Sequence, residues 1–279
     1  MGWIKYLYNH IQALSLDVAI GAIFCCMFLA KINNTIIPTN VYFALGIAVW
    51  VIYTLDHLLD AHSIQHTAHT FRHAFHQRYK KTLSSLCALL ILIGLVLTFF
   101  YVPKIIFYHG VILGVLVGIY LLIINLQSLP FSTFKEFTVA LIYSCGVALP
   151  VFSLSETLTP QYYLFTFTFF ILAAINLLEF ALFDYESDTK DNLLSAARKL
   201  GYKYIKWRIN TLIILFFGMI SLCYYLFWNT PLLLAINVLL LMGICLIIIY
   251  LKADFFSKDD YFRIFGDFVF LFPLLYLCL

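Results

Sequence analysis

Nine apolar stretches of roughly 17–25 residues follow one another along the chain, and their length constrains the fold more than any other feature. Of the 279 residues, 63% are hydrophobic and 11% are charged, more apolar surface than a soluble domain of this size could bury. The sequence therefore predicts an all-α fold, a polytopic transmembrane helical bundle that forms one domain over residues 1–279. The predicted spans lie near residues 13–31, 41–59, 83–102, 105–126, 137–155, 162–183, 209–228, 231–251 and 262–278.

Basic residues are concentrated in the loops that follow the even-numbered predicted spans. The loops after spans one, three, five and seven contribute only Lys31 and Lys104. The positive-inside rule therefore predicts that the amino terminus and every even-numbered loop are cytoplasmic and that the carboxyl terminus is outside. We expect an integral protein of the plasma (inner) membrane. The even-numbered loops carry Arg72, Arg78, Lys80, Lys81, Lys135, Lys190, Arg198, Lys199, Lys203, Lys206, Arg208, Lys252, Lys258 and Arg263.

Composition also disfavours several other classes of protein. The net charge is only +3 and no basic tail is present, so we expect no nucleic-acid partner. None of the seven cysteines has a CxxC spacing, and we interpret them as small buried side chains. The first 20 residues contain one lysine and no small-residue cleavage site, which predicts a retained first helix and not a cleaved signal.

Half of the acidic residues stand in two short segments, each at the end of a predicted span. Carboxylates at a membrane boundary are costly unless a partner compensates them, so these two clusters are candidate functional sites. Ordinary helix ends that meet water at the interface are the alternative. The first cluster consists of Asp56 and Asp60, and the second of Glu179, Asp184, Glu186, Asp188 and Asp191.

The spacing within both clusters suits a cation. Asp56 and Asp60 are four residues apart, as are Asp184 and Asp188, so each pair would project from one face of a helix. Like charges at this spacing repel each other, and a hard divalent cation reverses the sign of that interaction. Mg²⁺ is usually bound by one or two carboxylates together with phosphate oxygens and water. Since the predicted topology puts both clusters on the cytoplasmic side, they could hold a diphosphate through Mg²⁺.

Basic residues beside the clusters could contact the phosphate oxygens. Arg72 and Arg78 could bind them in a bidentate way, whereas Lys80, Lys81 and Lys135 would act as point charges. The alternative is that each of these residues only follows the positive-inside rule.

At these residues the chain resembles the UbiA superfamily of intramembrane prenyltransferases, which have nine transmembrane helices and Asp-rich motifs after helices two and six. The second cluster, FDYESDTKDNLLSAARKLGYK, is the more specific match. It follows a family pattern of Asp-x-Glu-x-Asp, then Thr or Ser, then Gly. The matching positions are Asp184, Glu186, Asp188, Ser195 and Gly201.

The resemblance implies an enzyme that transfers a prenyl group from an isoprenyl diphosphate to a lipophilic, commonly aromatic acceptor within the membrane. It also implies Mg²⁺ as the cofactor and an aromatic wall that stabilises an allylic cation. Tyr53 and Tyr120 are candidates for that wall, although packing in the core is the interpretation that we favour for both. The implied catalytic and metal-binding carboxylates are Asp56, Asp60, Asp184 and Asp188, assisted by Glu186. The implied diphosphate ligands are Arg72, Arg78 and Lys135.

Two departures from the family pattern keep other functions open. Ile52 stands where the first motif usually has Asn, and Ala181 stands where the second usually has a further acid. A degenerate member that binds an isoprenoid lipid without turnover is therefore one alternative. A transporter that uses its carboxylates for cations or protons is another, although the acids lie at span ends and no inverted repeat is evident.

Six of the eight histidines fall between residues 57 and 76. The pairs His62/His66 and His69/His73 have a spacing that suits a transition metal such as Zn²⁺ or Fe on one helical face. A polar loop at the membrane interface is the interpretation that we favour from sequence, because membrane di-iron oxidases need several such clusters.

Overall fold

The computed structural model describes residues 10–125, 131–193 and 195–279, and these residues form helices with no strand among them. Residues 1–9, which contain part of the segment predicted as a retained first helix, lie outside the described residues. The helices are α1 (Leu16–Ile32), α2 (Thr39–Ser63), α3 (Phe71–Arg78), α4 (Lys80–Tyr101), α5 (Lys104–Asn125), α6 (Lys135–Leu154), α7 (Pro160–Phe183), α8 (Tyr185–Asp191), α9 (Ala196–Leu200), α10 (Tyr202–Phe227), α11 (Leu233–Leu251), α12 (Ala253–Phe256), α13 (Tyr261–Phe268) and α14 (Pro273–Leu277).

Within the described residues, seven helices are long and apolar enough to cross a membrane. They correspond to the second to eighth predicted spans. The prediction of an all-α, membrane-embedded bundle is therefore confirmed. The seven are α2, α4, α5, α6, α7, α10 and α11.

The first and ninth predicted spans differ from regular membrane-crossing helices. Helix α1 has 17 residues, a length of about 26 Å at 1.5 Å per residue, slightly less than a bilayer core. The ninth span is divided into α13, a 3₁₀ turn at Val269–Leu271 and α14. Pro273 begins α14, and because it has no backbone N–H it cannot continue the hydrogen bonding of a preceding helix.

The interrupted segment is packed inside the bundle. Val269 and Phe270 are buried, and Gly21 of α1 approaches so closely that a Cβ at Gly21 would lie 3.1 Å from the Phe270 Cβ. The Cys25 thiol donates to the Phe270 carbonyl at 3.6 Å. Irregular backbone is tolerated at membrane depth where protein covers it and where its polar groups find partners.

The helices differ greatly in how much of their surface the protein covers. In the most apolar 18-residue segment of α7, 72% is buried inside the structure, whereas in the corresponding segments of α4 and α5 only 11% is buried. Helix α7 is therefore the central helix of the bundle, and α4 and α5 expose most of their apolar side chains. One continuous hydrophobic cluster joins buried residues from Ala19 to Tyr276 around α7.

Candidate functional site

A cavity of about 150 Å³ is lined by residues from both acidic clusters. Helix α2 contributes Asp56 and Asp60, and the end of α7 and the start of α8 contribute Asp184 and Asp188. The four carboxylates that the sequence paired by spacing therefore reach the same cavity. Residues from α3, α6 and α13 add further ionisable groups to its lining, namely Arg72, His73, Lys135, Glu136, Arg263 and Asp267.

The first pair stands on a continuous helix and faces a lysine. Asp56 and Asp60 lie within α2, so the four-residue spacing places them one turn apart. The Lys135 Nζ lies 3.3 Å from the Asp60 Oδ2, and the two side chains are only 14% and 22% exposed. Lys135 is the first residue of α6, so this ion pair joins α2 to α6 at the cavity.

The second pair crosses a helix boundary. Helix α7 ends at Phe183, Asp184 keeps helical φ and ψ values, and α8 begins at the next residue. The Asp188 N–H donates to the Asp184 carbonyl at 2.8 Å, so the helical spacing survives the boundary. Burial and the neighbouring Asp184 carboxylate raise the pKa of Asp188 to about 7.

Three acids of the second cluster do not line the cavity. Glu186, predicted to assist metal binding, is exposed on α8. Glu179 is fully buried within α7, and neither of its carboxyl oxygens has a hydrogen-bond partner among the described residues. Asp191 is buried at the end of α8, where it contacts His66 and His69.

The predicted diphosphate ligands are also divided. Arg72 and Lys135 line the cavity, and the Arg72 Nε is buried with no hydrogen-bond partner among the described residues. Arg78 stands at the end of α3, outside the cavity lining, with its guanidinium 5.6 Å from the centre of the Tyr79 ring. Of the two predicted aromatic candidates, Tyr53 lines the cavity and Tyr120 does not.

The carboxyl-terminal segment contributes cavity residues that were not predicted as site residues from sequence. Arg263 is 4% exposed, contacts the Asp184 carboxylate and lies over the Phe262 ring at 5.0 Å. Asp267 lines the same cavity and accepts a hydrogen bond from the Asn176 amide at 3.4 Å. Ionisable residues within an apolar stretch were the available signal, because such residues are rare unless they face the interior of a bundle.

Gly266 explains how this segment can approach α7. A Cβ at Gly266 would lie 2.5 Å from the Asn176 Oδ1 and 2.7 Å from the Phe180 Cε1. Any larger residue would therefore require the Asn176 and Phe180 side chains, or α13 itself, to move. Small residues allow this kind of close approach between membrane helices.

The histidines separate into groups that the sequence did not distinguish. His57, His73 and His76 are buried, and the His57 ring centre lies 5.3 Å from that of His76 and 6.4 Å from that of His73. Burial and the Arg72 charge lower the pKa of His73 well below its usual range, so its imidazole is neutral at pH 7. The exposed His66 and His69 instead contact Asp191.

The Asp191 carboxylate is held in its ionised form by these contacts. Burial acts to raise its pKa, but the hydrogen bonds from the His69 ring and backbone and from the His66 ring outweigh burial and lower the pKa below its usual value. Of the histidines predicted to form a polar loop, His66 and His69 are exposed, whereas His57, His73 and His76 are buried.

The cavity lining is rich in carboxyl oxygens, which suit a metal cation that prefers oxygen ligands. Six carboxyl groups and three permanent cations line it, so carboxyl groups exceed cations by three among the described residues. Such an oxygen-rich set with basic neighbours suits Mg²⁺, which combines carboxylate ligands with phosphate oxygens and water. The six carboxyl groups belong to Asp56, Asp60, Glu136, Asp184, Asp188 and Asp267, and the three cations to Arg72, Lys135 and Arg263.

The fold and the site define a polytopic α-helical membrane protein with a charged, carboxylate-rich cavity inside its bundle. Comparison of the chain with protein-family models, with curated proteins and with solved structures finds no match. The chemistry of the cavity is therefore the basis for assigning a function.

Proposed function

We propose that the chain is a Mg²⁺-dependent prenyltransferase that moves a prenyl group from an isoprenyl diphosphate to a lipophilic, aromatic acceptor within the membrane. The observation that carries the proposal is the convergence of two aspartate pairs and three cations on one cavity. Neither pair alone would require a phosphorylated substrate. Together with the cations they form a lining that complements metal ions and diphosphate at once.

The four aspartates are the proposed ligands of the metal. Asp56 and Asp60 would act from α2, and Asp184 and Asp188 from the junction of α7 and α8. When bound, Mg²⁺ would neutralise charge that develops on the departing diphosphate. The four carboxylates would fix the position of the Mg²⁺ charge. The two pairs come from parts of the chain that are more than 120 residues apart.

Arg72, Lys135 and Arg263 would stabilise the leaving diphosphate from the protein side. Lys135 and Arg263 already pair with Asp60 and Asp184, so each cation is held in place before a substrate arrives. Arg72 lines the cavity and has a buried Nε without a hydrogen-bond partner among the described residues, so it would keep a donor for a phosphate oxygen. Preorganised donors of this kind favour breaking of the allylic C–O bond, whose electron pair leaves with the diphosphate. The allylic carbon would then bond to the acceptor, and the proton that the acceptor loses would pass to the released diphosphate or to water.

Aromatic residues complete the proposed site. Tyr53, Phe180 and Phe270 line the cavity and would stabilise an allylic cation through their ring faces. At about 150 Å³ the cavity is smaller than typical pockets for whole organic ligands, which hold about 300–1,000 Å³. We therefore assign the cavity to the diphosphate and its ions, and expect the prenyl chain and the acceptor to extend from it along apolar surface.

Release of diphosphate is the direct test. Full-length protein in detergent would be incubated with labelled isoprenyl diphosphates of several lengths, Mg²⁺ and a lipid extract that supplies acceptors. We expect Mg²⁺-dependent release of diphosphate and a labelled lipophilic product, both lost in Asp56→Ala and Asp184→Ala. Glu156→Gln is the matched control, because Glu156 is exposed and lies outside the cavity lining.

The same assay separates the proposal from its alternatives. Binding of isoprenyl diphosphate without release, by protein shown to be folded, would indicate a degenerate isoprenoid-binding protein. Absence of both binding and release would contradict the proposed diphosphate site. Cation or proton flux in reconstituted vesicles that depends on Asp56 and Asp184 would then favour a transporter.

A further inference from the structure

The loop between α2 and α3 is fastened to the end of α8. Ile64 and Ala68 of this loop form a small buried cluster with Leu193, which follows α8, and this cluster is separate from the main core. The Gln77 amide donates to the carbonyl oxygens of Ile64 at 3.4 Å and His66 at 2.9 Å. The loop is thus held in a defined position beside Asp191.

Two imidazoles and one carboxylate converge where the loop meets α8. The His66 Nε2 lies 3.0 Å from the Asp191 Oδ1, and the His69 Nδ1 contacts the same oxygen. One ligand atom from each residue lies within 4.8 Å of the other two. The backbone N–H of His69 donates to both carboxylate oxygens of Asp191, Oδ1 at 3.3 Å and Oδ2 at 3.1 Å, which holds the carboxylate beside the two rings.

This set of donors is typical of a transition-metal site. Zn²⁺ is commonly bound tetrahedrally by imidazole nitrogen and carboxylate oxygen, with water in the remaining position. At bond lengths of about 2.0–2.1 Å, ligand atoms around a tetrahedral Zn²⁺ lie about 3.4 Å apart, a separation within reach of the three donor atoms here. The imidazoles are 48% and 47% exposed while the carboxylate is fully buried, so an ion could enter from solvent.

We propose that His66, His69 and Asp191 bind one Zn²⁺ ion, which fastens the loop after the first aspartate pair to the helix that carries the second. The hydrogen bond from the His69 backbone to Asp191 is the kind of outer contact that fixes a carboxylate ligand. Mg²⁺ does not suit this site, because it prefers oxygen ligands and its own water. The proposed zinc site is distinct from the cavity and does not depend on the proposed prenyl transfer.

Zinc binding to the full-length protein tests the proposal. The protein would be purified in detergent without a polyhistidine tag, treated with a chelator and titrated with Zn²⁺ alone. We expect one equivalent per chain by elemental analysis, unaffected by excess Mg²⁺. In His66→Ala and His69→Ala we expect the affinity to fall by about tenfold or more, because each removes one of three protein ligands.

His62→Ala is the matched control, because His62 is an exposed histidine of the same region whose ring contacts Lys80 and not Asp191. We expect this variant to bind Zn²⁺ as the unmodified chain does. Failure of the unmodified chain to bind one equivalent would overturn the proposal. Unchanged affinity in His66→Ala and His69→Ala, or an equal loss in His62→Ala, would also overturn it.

A measurement on the unmodified chain removes the dependence on how the variants fold. Histidine modification by diethyl pyrocarbonate, located by mass spectrometry with and without Zn²⁺, reports on individual side chains. We expect Zn²⁺ to protect His66 and His69 by about tenfold while His62 reacts equally in both samples. Equal modification of His66 and His69 with and without Zn²⁺ would contradict the proposed site.

Discussion

The two acidic clusters look alike in the sequence but differ in the structure. The first remains intact on α2, where Asp56 and Asp60 both line the cavity. The second is divided, since Asp184 and Asp188 line the cavity while Asp191 contacts the loop histidines outside it. Helix α8 ends at Asp191, and the following Asn192 is left-handed with φ of 57°. Helical spacing therefore assigns neighbours correctly only as far as the helix continues.

The clusters differ also in how their cations are buried. In the Arg263–Asp184 pair the side chains are 5% and 12% exposed, against 14% and 22% in the Lys135–Asp60 pair. Removing one partner from a buried pair leaves an uncompensated charge, whereas a more exposed charge is partly stabilised by water. The Arg263–Asp184 pair of the second cluster should therefore contribute more to the free energy of unfolding than the Lys135–Asp60 pair of the first. Its removal is the stronger test of the difference between the two clusters.

Replacement of Arg263 should produce the largest loss of stability. We expect Arg263→Leu to lower the free energy of unfolding by about 3–5 kcal/mol, because Asp184 is left buried without its partner. Lys135→Met should cost less than half as much. Unfolding of both variants in detergent by denaturant measures the difference. Equal losses would show that the two ion pairs are equivalent, and the double variant Arg263→Leu/Asp184→Leu should recover part of the loss.

Activity should depend on both clusters more evenly than stability does. We expect Asp56→Asn and Asp188→Asn each to lower the rate of diphosphate release by about 10²–10³-fold, because each removes a charge that positions the proposed metal. Glu186→Gln should change the rate by less than about threefold, since its side chain is exposed and outside the cavity lining. A large effect of Glu186→Gln, with Asp188→Asn near normal, would mean that Glu186 and not Asp188 positions the proposed metal.

The carboxyl-terminal segment packs closely against α7, the helix that leads into the second cluster, and the first cluster has no such contact with it among those described above. We expect Gly266→Ala to cost about 1–3 kcal/mol, because the added Cβ would meet Asn176 and Phe180. Gly110→Ala on α5 is the matched control, since nothing lies within 4 Å of a Cβ there, and it should be neutral or slightly stabilising. Thermal unfolding of both variants measures the effect, and equal midpoints would contradict the close approach of α13 to α7.

The long helices could be predicted from sequence because apolar length alone defines them. Asp56 and Asp60 could be paired for the same reason, since they lie inside one continuous helix. Arg263 and Asp267 were not predicted as site residues, because their place depends on the interrupted helix folding back against α7. Asp191 stands near Asp188 in the sequence but lies outside the cavity lining, because α8 ends at Asp191 and the left-handed Asn192 that follows is a backbone feature that charge spacing does not encode.

The pH dependence of the unfolding temperature should report on the second cluster through Asp188, and this is the smallest of the expected effects. Burial and the Asp184 charge raise the pKa of Asp188 to about 7, above its usual value of 3.8. The protonated form therefore stabilises the metal-free folded state, and this contribution is lost as pH rises through about 7. We expect the unfolding temperature of the metal-free protein to decrease from about pH 4 to about pH 7, and Asp188→Asn to flatten that slope.

Mg²⁺ should act with the opposite dependence on pH. The proposed Mg²⁺ would bind the ionised carboxylate, so a proton on Asp188 would compete with it, and the apparent affinity should fall by up to about tenfold for each pH unit below 7. Stabilisation by Mg²⁺ should therefore be larger at about pH 8 than at about pH 6 in the unmodified chain and in Glu156→Gln. In Asp188→Asn the dependence should become weaker. An unchanged slope in Asp188→Asn would assign the titrating group to another residue of the cavity, and the two aspartate pairs would then no longer differ in the way that their surroundings indicate.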